Sequence, residues 1–455
     1  MPSWEAPVTT LTSQSPATRL RHRDVLAIAL PMIFSNVTTP LIGAVDTAVI
    51  GQLGMAHLIG AVAVGATIFT FFYWGFGFLR MGTTGLTAQA SGAERQREVL
   101  ATLYRALLVA GTAGMAIILL QWPIAEAAFT LMGASPDVEA AARTYFAIRI
   151  WSAPAALANY ALVGWFIGLG RAGMAFRLQL LLNLTNIGLD ALFVLVFGWG
   201  VAGVAAGTLI AETGAAVVGL AVALRAAGSL RIRAWRVFNA AKLKRMVSVN
   251  GDIMIRTLSL LFAFSFFTAQ GARSGDFILA ANAILMHFMS VAAYFLDGVA
   301  YATEALTGKA IGARNPARFA DAVRLSSIWA AGLSVATGAV FWLGGDAVID
   351  AMTVTEAVRA TARDYLPWAA AAPVVGVACF QLDGIFIGAT RTRDMRNMML
   401  VSLGIYLVAW AVLTPSFGNH GLWAALMVLF VARAVTLGLR LPALKHAAFA
   451  GQHDS

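Results

Sequence analysis

Gly-Leu-Thr-Ala-Gln-Ala-Ser-Gly-Ala (Gly85 to Ala93) returns as Ala-Leu-Thr-Gly-Lys-Ala-Ile-Gly-Ala (Ala305 to Ala313), 220 residues further on. Other stretches return at the same offset. Phe-Ile-Gly at Phe166 to Gly168 recurs at Phe386 to Gly388, with Arg171 and Arg391 following. Ala-Arg-x-Tyr at Ala142 to Tyr145 recurs at Ala362 to Tyr365, and Phe197-Gly198 recurs as Phe417-Gly418. Matches at one offset along the whole chain mark a fused duplication, and repeats in a membrane chain are the pattern of a transporter.

The chain is a membrane chain by composition. Hydrophobic residues make up 59% and charged residues 12%, against about 25% charge in soluble domains. The single cysteine, Cys379, excludes an internal disulfide and a cysteine metal cluster. The net charge of +10 does not call for nucleic acid, because the basic residues sit in short segments between apolar runs. No histidine–glutamate zinc motif, phosphate loop or other enzyme signature is present. The expectation is a transporter, not an enzyme, with no cofactor.

Twelve apolar segments are each long enough to cross roughly 30 Å of hydrocarbon as a helix. They are 24–51, 58–86, 99–121, 139–168, 174–197, 200–225, 244–271, 277–306, 322–345, 357–388, 394–415 and 418–441. Lys and Arg collect in alternate loops: Arg95 and Arg97, Arg171 and Arg177, Lys309 and Arg314, Arg391 and Arg393. The opposite loops are poor in them, and two carry acids instead, around Asp137 and Glu139 and around Asp346 and Asp350. Both termini are therefore expected in the cytoplasm. The expected organisation is a tail over 1–23, a first lobe over 24–225, a basic linker over 226–243, a second lobe over 244–441 and a tail over 442–455. Six spans per half leave the halves in the same orientation. The fold expected is an all-α membrane protein with 12 transmembrane helices in two parallel-repeat six-helix bundles and a substrate path between them.

Acids inside a span cost about 2.5–3.5 kcal/mol on insertion scales, so they are functional candidates by default. Asp46 lies deep in the first span, after Pro40. A proline cannot donate to the helix ladder, so a kink is expected at Pro40. In the fifth span Asn183, Asn186 and Asp190 share one helical face. Thr208 and Asn159 are placed to complete a polar pocket. Two carboxylates in one apolar pocket share a proton readily; with amide and hydroxyl oxygens they equally suit a bare Na⁺. At the repeat offset these positions become Phe266 (for Asp46), Tyr406 (Asn186), Trp410 (Asp190) and Val428 (Thr208). The first-half pocket has no copy. The second half has its own acids, Asp297, Glu304 and Asp383, with Asn282 nearby; these and Glu212 are secondary candidates. Asp252 and Arg256, four apart, are expected to pair within their helix. Met32, Phe34, Phe69 and Met286 are candidates to line an adaptable substrate cavity.

Leu30 to Asn36, Pro40 to Gly51, Leu79 to Ala90, Leu382 to Arg391 and Phe417 to Trp423 resemble the MATE (multidrug and toxic compound extrusion) transporters, in particular their DinF-like branch, over about Leu26 to Leu441. The resemblance implies two six-helix bundles around a central cleft, in a bacterial cytoplasmic membrane. It also implies antiport of hydrophobic, often cationic drugs against H⁺ or Na⁺. It carries the cation site onto Asp46, Asn186, Asp190 and Thr208, with Asn159 beside them, and implies that protonating Asp46 bends the first helix at Pro40. A NorM-type Na⁺ site in the second lobe needs a Glu in the seventh helix, where this chain has Asp252 and Arg256. The expected partners are small drug molecules and membrane lipid, not nucleic acid, and the expected state is a monomer. The leading expectation is H⁺-coupled export. Na⁺ coupling through the same pocket and flipping of a lipid-linked precursor are the alternatives, the last disfavoured by the scarcity of Arg and Lys at mid-membrane.

Overall fold

A computed structural model describes residues 19–228, 230 and 232–450. The start of the expected N-terminal tail, two linker positions and the last five residues lie outside the described residues. The elements are α1 (His22–Gly51), α2 (Ala56–Gly75), α3 (Phe78–Gly92), α4 (Gln96–Leu119), α5 (Gln121–Met132), α6 (Pro136–Arg149), α7 (Ala153–Gly168), α8 (Ala172–Asp190) and α9 (Gly200–Ala227). They continue with α10 (Ala234–Val237), α11 (Ala240–Arg273), α12 (Asp276–Gly312), α13 (Pro316–Met352), α14 (Glu356–Gly388), α15 (Thr392–Gly438) and α16 (Leu441–Phe449). Among the described residues there is no strand.

Among the described residues, eleven helical stretches are long and apolar enough to cross a membrane. The last, Thr392–Phe449, contains both final predicted spans. Gly418, at φ 55° and ψ −131°, is the corner between them, and only glycine adopts such a conformation without strain. The predicted count of twelve is recovered by dividing α15 there. Three other spans are less regular than their apolar runs. The second breaks at Phe76 and Gly77 between α2 and α3. The fourth passes through a 3₁₀ turn, Ile150–Ser152, before Pro154 opens α7, a position where a missing N–H costs nothing. The fifth leaves α-helical pitch immediately after Asp190, as a π-helical turn over Ala191–Val196; such turns are frequent at functional sites. Three helices were not anticipated, the shortest being α10 in the expected linker. α5 exposes Trp122 and Leu131, as suits a helix lying at a membrane interface, and α16 falls in the expected C-terminal tail.

The described residues form two compact units, 34–247 and 248–450 together with 19–33. In the first, α7 packs against α3 and α4, α8 against α9, and α6 against α2 and α9. In the second, α14 packs against α12, α13 and α15. The first turns of α1 belong with the second unit, where Gly298 leaves room for Ile33.

The duplication is visible atom by atom. In the first unit Gly164 lies against the carbonyl of Arg80, and a Cβ on Gly168 would meet the carbonyl of Thr84 at 2.7 Å. In the second, Gly384 meets Ala300 and Gly388 meets Glu304, so all four positions are shifted by 220. Each pair of glycines lets two helix backbones touch, the small-residue crossing favoured where lipid supplies no hydrophobic drive between helices. The loops repeat as well. Glu94 and Arg314 both take positive φ, as do Gly170 and Thr390, and Gly198 and Gly418. The acid-bearing loops repeat their ion pairs: Arg143 binds Glu126 at 2.8 Å and Glu139 at 2.8 Å, and Arg363 binds Asp350 at 2.5 Å beside Asp346 at 3.7 Å.

Candidate functional site

The candidate site lies inside the first unit, where α1, α8 and α9 converge. Asp46 and Asp190 are 5% and 0% exposed, and their carboxylates lie within hydrogen-bonding reach of each other. Asn186, one turn before Asp190, donates from Nδ2 to Thr208 Oγ1 at 3.2 Å; Thr208 in turn donates to the carbonyl of Val204 at 3.0 Å. Asp46 Oδ1, Asn186 Oδ1 and both carboxylate oxygens of Asp190 are buried without a hydrogen-bond donor among the described residues. Buried acceptors are normally satisfied, and leaving one unsatisfied costs about 1–3 kcal/mol. A proton shared by the carboxylates, or a small hard cation on these oxygens, is the chemistry that fits the cluster. Metals that need several His, Cys or acidic ligands do not fit: among the described residues no three such side chains converge.

Local features hold the pair in place. A Cβ on Gly207 would overlap Asp190 Oδ1, so α9 accepts the carboxylate only because that residue is glycine. We expect Gly207→Ala to reduce gradient-driven transport at least about tenfold while the detergent-purified protein elutes as before; unchanged transport would show that Asp190 has room to spare. A second strand of polar contacts ties α1 to α8. Gln179 donates to Asn183 at 2.9 Å, Asn183 to Thr38 Oγ1 at 3.0 Å, and Thr38 to the carbonyl of Ser35 at 2.8 Å. α1 runs through Pro40 as one helix, so the expected kink is not a break in the helix here.

Asp46, Asn186, Asp190 and Thr208 are thus brought together. Asn159 is not beside the aspartates; its amide donates to the backbone carbonyl of Glu212 at 2.9 Å. Glu212, unexplained from sequence, is buried opposite Arg149, with 3.7 Å between charged atoms. Arg149 was missed, although a lone arginine inside a predicted span was the available signal. Phe69 is a core residue rather than a cavity wall: it is 1% exposed and packs on Phe146, Tyr73, Tyr145 and the Arg149 guanidinium. Met32 is likewise buried, Met286 packs against the core of the second unit, and Phe34 is exposed.

In the second unit the acids have partners. Asp383 is held between Arg256 and Arg433, the latter at 2.6 Å. Asp252 binds Arg396 at 2.7 Å and accepts from Thr392 at 3.0 Å. The expected pairing of Asp252 with Arg256 is therefore wrong. Each side chain instead reaches a neighbouring helix, so that Arg256 neutralises the buried Asp383 and Asp252 is neutralised by the partly exposed Arg396. Asn282 exchanges hydrogen bonds with Asn419 and accepts from Trp423 at 2.9 Å, an amide clasp within the core. Glu304 is buried in α12, and Asp297 lies within electrostatic range of Arg433.

An all-helical chain of two homologous halves, with apolar surface outward and an acid pair buried in one half, is an integral membrane protein of the duplicated transporter class. A model of the MatE family matches it twice, over residues 31–192 and 252–412, the same offset to within a residue. The chain belongs to the MatE family. It is 41% identical to DNA damage-inducible protein F of Escherichia coli, with 90% of each chain aligned. It is 25% identical to the probable multidrug resistance protein NorM of Rhizobium meliloti, with 92% of each aligned. Among solved structures, a MATE protein in the bent conformation superposes with a TM-score of 0.84 at 19% identity, covering 97% of this chain and 99% of that one. The Vibrio cholerae MATE transporter VcmN in its bent form gives 0.84 at 19% identity, covering 97% and 98%.

Proposed function

We propose that the chain is a secondary-active multidrug exporter, which moves hydrophobic and cationic compounds out of the cell in exchange for protons taken up at Asp46 and Asp190. The observation that carries this reading is the buried pair of carboxylates with donor-less oxygens, which the first half of the duplication holds and the second half lacks. The relatives support the substrate class: NorM is named for multidrug resistance. A proton between Asp46 and Asp190 removes one charge from the membrane interior and satisfies both acceptors. Its departure leaves two like charges in contact and favours a rearrangement of α1 around Pro40. Solved MATE structures are described in a bent and in a straight conformation, in keeping with a scaffold that has two shapes. The N-terminus and C-terminus face the cytoplasm of a bacterial inner membrane in this scheme, and no cofactor enters it.

The energetics suit one proton per cycle. A proton entering down 100 mV contributes about 2.3 kcal/mol, and about 1.4 kcal/mol corresponds to a tenfold gradient. A neutral drug exchanged for one proton is then driven by voltage and by the pH gradient, whereas a monovalent cation exchanged one-for-one is driven by the pH gradient alone.

Na⁺ is the second reading, favoured by the amide and hydroxyl oxygens of Asn186 and Thr208 beside the carboxylates. Purified protein in liposomes, given an inward H⁺ gradient without Na⁺ or an inward Na⁺ gradient at fixed pH, separates them. We expect drug counter-transport with the H⁺ gradient alone. Transport driven only by Na⁺ would replace the first reading by the second.

A further inference from the structure

Beside the aspartate pair lies a second buried ionic group that the coupling scheme leaves idle. Arg149, in the last turn of α6, has its guanidinium carbon 4.8 Å from the ring centre of Phe69 and 5.5 Å from that of Tyr145. It donates to the Tyr145 hydroxyl at 2.5 Å. Its distance to Glu212, 3.7 Å, is beyond a hydrogen bond. Arg149 Nε and Glu212 Oε2 are both buried without a hydrogen-bond partner. The guanidinium is therefore stacked on rings, not locked into the two-pronged bond that arginine makes with a carboxylate when it is fixed. Asp46 and Asp190 both lie within its electrostatic range. Tyr73 on α2 and Tyr160 on α7 also lie within electrostatic range of Arg149, Ser152 beyond α6 lies beside Glu212 and Tyr73, and Arg80 of α3 is in electrostatic range of Tyr160.

Arg149 is thus beside one carboxylate and within electrostatic range of two more, in a medium that screens charge poorly. While a coupling cation sits between the aspartates, Glu212 is the carboxylate that most needs Arg149. Once that cation leaves, the excess negative charge lies at the aspartates, and the guanidinium is drawn along the aromatic rings towards them. At the repeat offset Arg149 becomes Ala369 and Glu212 becomes Ala432, so this ion pair is confined to the same half as the aspartates. We propose that Arg149 is a positioning residue for the coupling site: an internal counter-cation that passes from Glu212 to the Asp46–Asp190 pair as the coupling cation departs. This rests on the coupling reading above.

The test uses the full chain reconstituted in liposomes, with drug counter-transport measured against the concentration of H⁺ at zero Na⁺, and of Na⁺ at fixed pH. Without the internal cation the aspartates retain their ion. Arg149→Gln should lower the half-saturating cation concentration at least about tenfold and slow turnover, with the drug KM unchanged. Arg149→Lys, which keeps the charge, should restore the wild-type half-saturation. Glu212→Gln frees Arg149 to stay at the aspartates and should raise the half-saturating concentration by about tenfold; it also carries the test if Arg149→Gln fails to fold. The inference is overturned if Arg149→Gln or Glu212→Gln changes turnover with half-saturation unmoved, or if Arg149→Lys behaves as Arg149→Gln. If Asp46→Asn keeps full gradient-driven transport, the coupling reading itself has failed.

Discussion

Asp46→Asn is expected to abolish gradient-driven export, by at least about a hundredfold in initial rate, while leaving membrane expression and elution unchanged. The two side chains have nearly the same shape, so packing is preserved. What is lost is the ability to alternate between charged and neutral states, and with it any difference in energy between the loaded and empty forms. A ligand can shift a conformational equilibrium only by its differential affinity for the two states, and an amide at position 46 binds no proton in either. Its Nδ2 would also donate to the Asp190 carboxylate, satisfying oxygens that have no donor among the described residues and holding the site in its loaded shape. Drug resistance in cells and drug counter-transport in liposomes both measure this. Export against a gradient by Asp46→Asn would falsify the coupling scheme.

The second large effect is on stability. Asp383→Ala is expected to destabilise the second unit by about 3–5 kcal/mol, because it strips the shared carboxylate from two buried guanidinium groups. Arg256 and Arg433 are 8% and 4% exposed, and both bind Asp383. Removing the acid leaves two like charges facing each other in a low-dielectric interior. The expected readout is a markedly lower thermal midpoint and loss of the monodisperse elution peak. Asp383→Asn should fall between, since an amide oxygen still accepts a hydrogen bond but carries no charge. A fully stable Asp383→Ala protein would show that the two arginines find other partners, and would return Asp383 to the list of coupling residues.

The two acids show how much of the site was legible in the chain. Both stood out for the same reason, an acid inside an apolar run. What separates them is the company they keep. Asp190 shares a helical face with Asn186, and that spacing is printed in the sequence; its meeting with Asp46 from a distant helix was inferred only from shared polarity. Asp383 has no charged neighbour on its own helix face, so nothing local revealed that Arg256 and Arg433 close on it from α11 and α15. The local rule was misleading for Asp252 and Arg256, whose spacing of four suits a pair within one helix. Inter-helix partners win there because they leave no acid over: Asp252 takes Arg396, and Arg256 is free to join Arg433 on the buried Asp383. Arg149 and Gly207 were overlooked for opposite reasons. The arginine was visible but had no stated partner, and the glycine matters only for the atom it leaves out.

The span pattern, the duplication and the asymmetry between its halves follow from the chain alone. Hydrophobic length, loop charge and an exact offset are properties of a one-dimensional string, and the bilayer converts them directly into helices. The GxxxG-like crossings at Gly164 and Gly168, and again at Gly384 and Gly388, repeat because the same small residues recur at the same offset. The partners of the buried charges are decided by tertiary structure. A charge in a low-dielectric interior takes whichever opposite charge or donor the packing brings within a few ångströms, and helices 50 to 144 residues away in sequence supply it. In the second half that packing closes Asp383 between two arginines. In the first half it leaves Asp46 and Asp190 facing each other, with Arg149 close by and only loosely held.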